Sequence, residues 1–588
     1  MTTKTGAMHV ATIKKATPGK NYQTTLVRRT YREGGKVKHQ TLSNISHLPP
    51  QVIDLIRAVL KGEVFVPVGD AFEIIRSLPH GHVAAVLGTL RKLNLESLLY
   101  YQPCWQRDVV TAMVVGRVIN PDSKLATARS LRDETALSTL GEIMGLGFVD
   151  EDKLYEAMDW LGERQWRIEE KLARRHLRDG CLVLYDLSSA WYTGSHCTLA
   201  KLGHSRDKKK GVPQIEFGLL CNLEGCPISV EVFEGNVVGP STLSSQIGKV
   251  RKRFGLRRVI MVGDRGMITE ARIREEMSGV EGLDWITALR SPDIAALIEE
   301  EAVQLSLFDE RGLIEVSSVR YPGERLIACR NPLLAEKRGQ RREALLRATE
   351  KELDKIVAAT RREKRRLTGK DKIGIRVGKV INRYKVAKHF RIEINEDGLR
   401  YERDEGKIVR EARLDGIYVI RTSVPEEELS APEAVRAYKD LSWVEQAFRS
   451  LKGIDLKVRP IYHWQEERVR AHVFLCMLAY YVEWHMRMAL GPILFGDDGP
   501  VAREEQRESA KASPRARRKA ETKRTAEGYP VHSFQTLLKD LATIVKNRVR
   551  PRMATWGISE DGACFDILTT PTPLQHRALD LLGVPLKV

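Results

Sequence analysis

Apolar positions along the chain fall into two kinds of run. Cys181-Leu182-Val183-Leu184-Tyr185-Asp186 is a continuous apolar stretch ending on an acid, and Val259-Ile260-Met261-Val262-Gly263-Asp264 repeats the design. Short runs of this kind predict strands buried on both faces. Between the two, residues 214–220 and 228–233 flank the turn Asn222-Leu223-Glu224-Gly225 and predict a hairpin, followed by a helix opened by Pro240-Ser241-Thr242. A helix over about 268–277 and a strand over 285–289 complete this stretch. Elsewhere the period is helical: Val83-Val86-Leu87-Leu90, Val110-Met113-Val114-Val118 and Leu154-Met158-Leu161 are stripes of one helix face each.

The flanking regions read differently. Near the N-terminus, residues 22–27 and 36–42 flank Gly34-Gly35 as a hairpin, and Pro49 opens a helix carrying Val52, Ile53, Leu55, Ile56, Val59 and Leu60. Residues 291–425 break the strand–helix alternation, with short strands near 313–316, 325–328, 390–394 and 416–420 and a long charged helix over 334–366. Residues 433–452 are helical again, and 469–490 form a long apolar helix. His472, Glu483, His485 and Arg487 within it mark a buried amphipathic helix and exclude a membrane span. His472 and Trp285 each read as core residues. From 498 to 528 Arg, Lys, Ser, Ala and Glu dominate without an apolar period, which predicts a disordered basic linker.

The core order is β-loop-β-β-α-β-α-β, the order of a ribonuclease H-like fold, which sets the first and fourth strands side by side. The expected architecture is α/β: a ribonuclease H-like catalytic core split by a mixed β-rich insertion, with a basic N-terminal β region and helical domains on both sides. The boundaries follow the pattern: 1–80 N-terminal hairpin region, 81–178 helical, 179–290 first part of the core, 291–425 insertion, 426–495 closing core helices, 496–530 linker, 531–588 C-terminal tail.

Charge changes the picture most. Lys and Arg number 96 against 77 Asp and Glu, a net +19. Such an excess points to a polyanionic partner, nucleic acid first. The basic N-terminal strands (Arg28, Arg29, Arg32, Lys36, Lys38) either grip a phosphate backbone or form a solvated face. Lys208, Lys209 and Lys210 either line a DNA channel or form a solvated turn. Eight scattered cysteines give no disulfide framework and indicate a reducing compartment. Cys221 and Cys226 have no Cys/His pair nearby at zinc-finger spacing, so zinc is not expected.

Asp186 and Asp264 stand at strand C-termini, where open α/β sheets place their sites. Glu445, on a later helix, adds a third acid. Three carboxylates on separated elements suit two Mg²⁺ ions in phosphoryl transfer, Asp186 bridging both and the other two holding one each; Mn²⁺ is the expected substitute.

The motifs around these acids resemble those of bacterial insertion-sequence DDE transposases whose ribonuclease H-like core is split before the final Glu. Asp186-Leu187-Ser188-Ser189 is similar to the first-Asp motif and Asp264-Arg265-Gly266-Met267 to the second. Tyr438, Glu445 and Lys452 keep the register of the signature Y-x2-R-x3-E-x6-K; its Arg position holds Leu441, and Arg449 on the same helix is the expected substitute. The likeness spans about 80 to 490 and reaches, less specifically, Met8-His9-Val10-Ala11-Thr12-Ile13.

It implies a metal-dependent enzyme that cleaves element ends and joins their 3′-hydroxyls to target DNA. It gives Tyr438 and Lys452 contacts to the end phosphate. The implied partners are double-stranded DNA, as terminal inverted repeats and target, and a second copy as a homodimer on DNA; no membrane partner is expected. The implied location is cytoplasmic, at the nucleoid. Two alternatives share these residues: a stand-alone ribonuclease H-like nuclease, and a non-catalytic DNA-binding descendant.

Overall fold

A computed structural model describes residues 6–17, 20–63, 72–207, 209–300, 312–495, 514–551 and 564–587. Lys208 and most of the expected linker lie outside the described residues. The chain divides into two compact units, one of residues 1–77 with 546–569, the other of 78–545 with 570–588.

In the first unit β1 (Ala7–Thr17), β2 (Lys20–Glu33) and β3 (Lys36–Asn44) form an antiparallel sheet. Gly34 and Gly35 link β2 to β3 at φ +61° and +79°, the left-handed pair a tight hairpin requires. Helix α1 (Pro50–Leu60) starts where Pro49 led it to be expected. A second small sheet pairs β4 (Phe72–Pro79) with strands Val545–Pro551 and Phe565–Leu568. Part of the expected C-terminal tail is therefore built into the same unit as the N-terminal hairpins.

The second unit holds the main sheet. Its strands are β5 (Cys181–Trp191), β6 (Gln214–Asn222), β7 (Pro227–Glu234), β8 (Val259–Val262), β9 (Leu283–Ala288), β10 (Leu313–Val316), β11 (Arg325–Arg330) and β14 (Ile417–Thr422). Their order is β10-β11-β14-β9-β8-β5-β6-β7. β5 runs parallel to β8 and β8 to β9, while β6 and β7 are antiparallel additions on the far side of β5. Register then fixes the site. Leu184 pairs with Val262, so Asp186 and Asp264, each two residues further on, lie side by side where β8 ends; β5 runs on to Trp191 along β6, so Asp186 stands within its strand and not at the C-terminus expected for it.

Residues 291–425 differ from the β-rich insertion expected. β11 pairs with β14 and β14 with β9, so these strands extend the main sheet and do not stand apart from it. The remainder is chiefly helical. The charged helix, here α6 (Pro332–Thr360), stops before the expected 366, and a further helix α7 (Lys370–Tyr384) follows. Four apolar residues of α7 (Ile373, Val377, Val380, Ile381) pack with α6 and a two-stranded ladder, β12 (Phe390–Ile394) with β13 (Leu399–Arg403). Interleaved Lys, Arg and Gly had masked that stripe in the sequence.

A second difference touches the site. The helix over 433–452 is interrupted at Asp440, giving α8 (Ala431–Lys439) and α9 (Leu441–Lys452). Asp440 is buried and accepts from Trp443 Nε1 at 3.2 Å, and this bond holds the joint. Tyr438 and Glu445 thus stand on successive helices. Within the expected linker, Pro514–Thr522 is helical, and the buried Lys519 Nζ donates to the carbonyls of Gly491 (2.7 Å) and Leu494 (3.2 Å).

Helix α10 (Glu466–Leu490) runs through the core and is buried on nearly every side, packed on the long helix Glu151–His176 and on β7. Glu483 is fully buried within it and bonds Arg487 at 2.6 Å; Arg487 also reaches Asp455 at 3.1 Å. Among the described residues no helix is long and apolar enough to cross a membrane.

β5 is locked from behind: Tyr185 is buried, and its hydroxyl donates to Thr242 Oγ1 at 2.9 Å. A Cβ at Gly218 on β6 would overlap that hydroxyl. Gly218→Ala should therefore cost about 1–3 kcal/mol in denaturant unfolding, by displacing Tyr185 from its partner. An unchanged midpoint would remove this account of the strand's anchoring.

Candidate active site

Each acid is presented by a distinct local device. The half-buried Asp186 continues β5, and its Oδ1 accepts from the Leu187 amide at 2.7 Å. Asp264 follows the end of β8 and turns the chain: its Oδ1 accepts from the amides of Gly266 (2.9 Å) and Met267 (2.8 Å). Glu445 lies exposed on α9, which packs against β5 through its buried face.

The three carboxylates share one electrostatic environment. Burial pushes the Asp186 carboxyl up to about 7, and the charges of Asp264 and Glu445 push the same way against the Leu187 amide and Arg206. Tyr438 feels the same field: burial first, then Asp264, Asp186 and Glu445, raise its phenol to about 12. Its hydroxyl therefore stays protonated. Among the described residues, the acids' ligand atoms do not draw within 4.8 Å of one another as a set. Like charges that act on one another carry repulsion that a cation relieves, and an all-oxygen donor set suits a hard divalent ion. The residues fit the expected metal.

Around this centre lies a polar network that sequence reading largely missed. Arg206 Nη1 sits 3.8 Å from Asp186 Oδ1 and donates to the Leu187 carbonyl; its Nε is 3.8 Å from Glu216 Oε2. Glu216 on β6 is buried, and burial raises its carboxyl to about 7. Lys452 Nζ donates to Ser188 Oγ (2.8 Å), the Ser189 carbonyl (3.3 Å) and Asp207 Oδ1 (2.8 Å). Arg459 also pairs with Asp207 and lies 4.3 Å over the Trp191 ring. Lys209 Nζ is 3.6 Å from the same ring centre, while Lys210 is exposed. Arg449 is exposed on α9 and lines a groove with Gln446, Gly453, Ile454, Asp455 and Arg487. The cation beside the first acid is Arg206. Its only sequence signal was its place in the polar loop after β5.

Two family models match the chain. Residues 188–482 match the transposase DDE domain, and the chain belongs to that family. It is a DNA transposase, an enzyme that cuts and transfers DNA strands with divalent cations. Residues 10–65 match the IS1634 family transposase N-terminal domain, which places the chain among insertion-sequence transposases. The DDE match begins just beyond Asp186 and contains Asp264, Tyr438, Glu445 and Lys452. Among solved structures, a piggyBac transposase synaptic complex with hairpin DNA is similar at 9% identity and TM-score 0.32, covering 79% of this chain and 82% of that one. No curated protein matches.

The raised Asp186 carboxyl has a measurable consequence. Its folded value near 7 exceeds the ordinary 3.8, so the folded chain binds this proton more tightly than the unfolded chain. Its stabilising effect is complete below about pH 4 and is lost as pH rises through 7. In chelator at pH 8, Asp186→Asn should melt higher than the wild type, and the gap should close near pH 5. Added Mg²⁺ should raise the melting temperature of the wild type and leave that of the variant unmoved. A variant that melts lower at pH 8 would show that Asp186 is not held against its neighbours' charge.

Proposed function

We propose that this transposase works by a cut-and-paste route on a ribonuclease H-like core, with Asp186, Asp264 and Glu445 as its catalytic acids. The core assignment rests on strand order: counted from β5, the strands run third-second-first-fourth-fifth, with the first, fourth and fifth parallel. The observation that carries the site is the shared field of the three acids, felt by both Asp186 and Tyr438.

The three acids would hold two Mg²⁺ ions, with Mn²⁺ able to substitute. When bound, the ions neutralise charge developing on the phosphoryl oxygens and lower the pKa of the attacking hydroxyl or water. The chain's own residues do the rest. The Leu187 amide holds the Asp186 carboxylate, and the Gly266 and Met267 amides hold that of Asp264. Tyr438, kept protonated, donates to a nonbridging oxygen of the phosphate at the element's end. Arg265, exposed beside Tyr438, adds a phosphate contact.

Lys452 already has three protein acceptors about Nζ, so it acts as a positioning residue that ties α9 to the strand bearing Asp186. Arg206 steadies Asp186 from the other side. Lys209 and Lys210 border the DNA path, with Lys208 between them and Asp207 in sequence, and Arg449 extends it along α9. Water attack frees the element's 3′-hydroxyl, which then attacks target DNA in a second in-line step at the same acids. The DNA is the element's terminal inverted repeats and a target duplex, held by a homodimer, with the basic N-terminal sheet supplying phosphate contacts.

The test uses the full chain, labelled DNA carrying the ends that flank its coding region, a plasmid target and Mg²⁺. Wild type should cleave and join. Ala at 186, 264 or 445 should lower both steps by on the order of 10³-fold while leaving DNA affinity in place. Tyr438→Phe should slow cleavage by about 10-fold, the loss of one hydrogen bond to a charged group. Cleavage without joined products would make the chain a nuclease alone. Retained cleavage by Asp186→Ala would overturn the assignment.

A further inference from the structure

We infer that the chain carries a second metal site, unrelated to the three acids, in which His176, Cys226 and His485 take a borderline-soft divalent cation of the zinc type. These residues come from three distant segments. His176 ends the helix Glu151–His176, Cys226 lies in the turn between β6 and β7, and His485 is on α10. Each offers one ligand atom, and the three atoms lie within 4.8 Å of one another. Among the described residues this is the group of its kind.

Several observations favour a ligand over simple packing. Cys226 is wholly buried and outside any disulfide. His485 Nε2 is shielded from solvent and has no hydrogen-bond partner, a cost that coordination would remove. Tyr481 Oη lies 2.9 Å from His176 Nε2 and fixes that ring, the kind of outer contact that orients metal-bound imidazoles. Arg175 in turn reaches Tyr481 Oη at 3.3 Å.

The donor set decides the metal. One sulfur and two imidazole nitrogens suit zinc and disfavour Mg²⁺, which wants hard oxygen. Both histidines are partly buried, and their exposed edges leave water access to a fourth position. Such an ion would clamp the end of the long helix and the β6–β7 turn to α10. Searching along the chain near Cys221 and Cys226 could not find it, because the partners lie far off in sequence.

The full-length chain, purified without chelator, should contain about one zinc per molecule by elemental analysis. After stripping, Co²⁺ should restore one equivalent, with the visible bands of a tetrahedral site and a thiolate-to-cobalt charge-transfer band. Zinc should raise the melting temperature of the stripped protein. Cys226→Ser should abolish the charge-transfer band and weaken binding at least 100-fold, His485→Gln should weaken it at least 10-fold, and Asp186→Ala should change neither. Should Cys226→Ser fail to fold, the wild-type cobalt spectrum still decides, since a thiolate band requires a cysteine ligand. A folded wild type that takes up no zinc or cobalt, or binds cobalt without the thiolate band, overturns the proposal.

Discussion

Repulsion among gathered carboxylates is the constraint around which this molecule is built. Asp186 lies where β8 ends, and its carboxyl is pushed up to about 7 by burial first, with the charges of Asp264 and Glu445 adding to it. Holding like charges so needs a rigid support. The parallel pairing of β5 with β8 provides one, because its register sets the two aspartates side by side. Helix α9, packed on β5, supplies the third. A cation held by the proposed acids would relieve their mutual repulsion.

The support is itself polar and partly buried. Arg206, Glu216, Asp207, Lys452 and Arg459 form a mixed-charge layer around the segment beyond Asp186, tied at several points to backbone carbonyls and serines. Paired, partly buried charges of this sort are poor sources of stability but strong sources of geometry, since loss of one partner leaves another uncompensated. Behind them α10 gives the apolar mass on which the sheet and the helical block both rest.

What was legible in the sequence was whatever depends on short continuous patterns. The β5 and β8 runs, the Gly34-Gly35 hairpin, the β6–β7 hairpin and the buried character of α10 could all be read from adjacent residues. What was not legible depends on distant partners. Nothing local reveals that β11 and β14 extend the sheet beyond β9, nor that Asp440, pinned by Trp443, separates Tyr438 from the helix of Glu445. Arg206 was one cation among many in a basic loop until the fold set it beside Asp186. Arg449, which helical spacing recommended, lines a groove along α9.

The most direct test is to locate the ions. Crystals of the full chain bound to end DNA, soaked in Mn²⁺, should give anomalous peaks bonded to carboxylate oxygens of Asp186, Asp264 and Glu445, with Asp186 common to both ions. Manganese bound elsewhere, with any of the three acids turned away from it, would contradict the account.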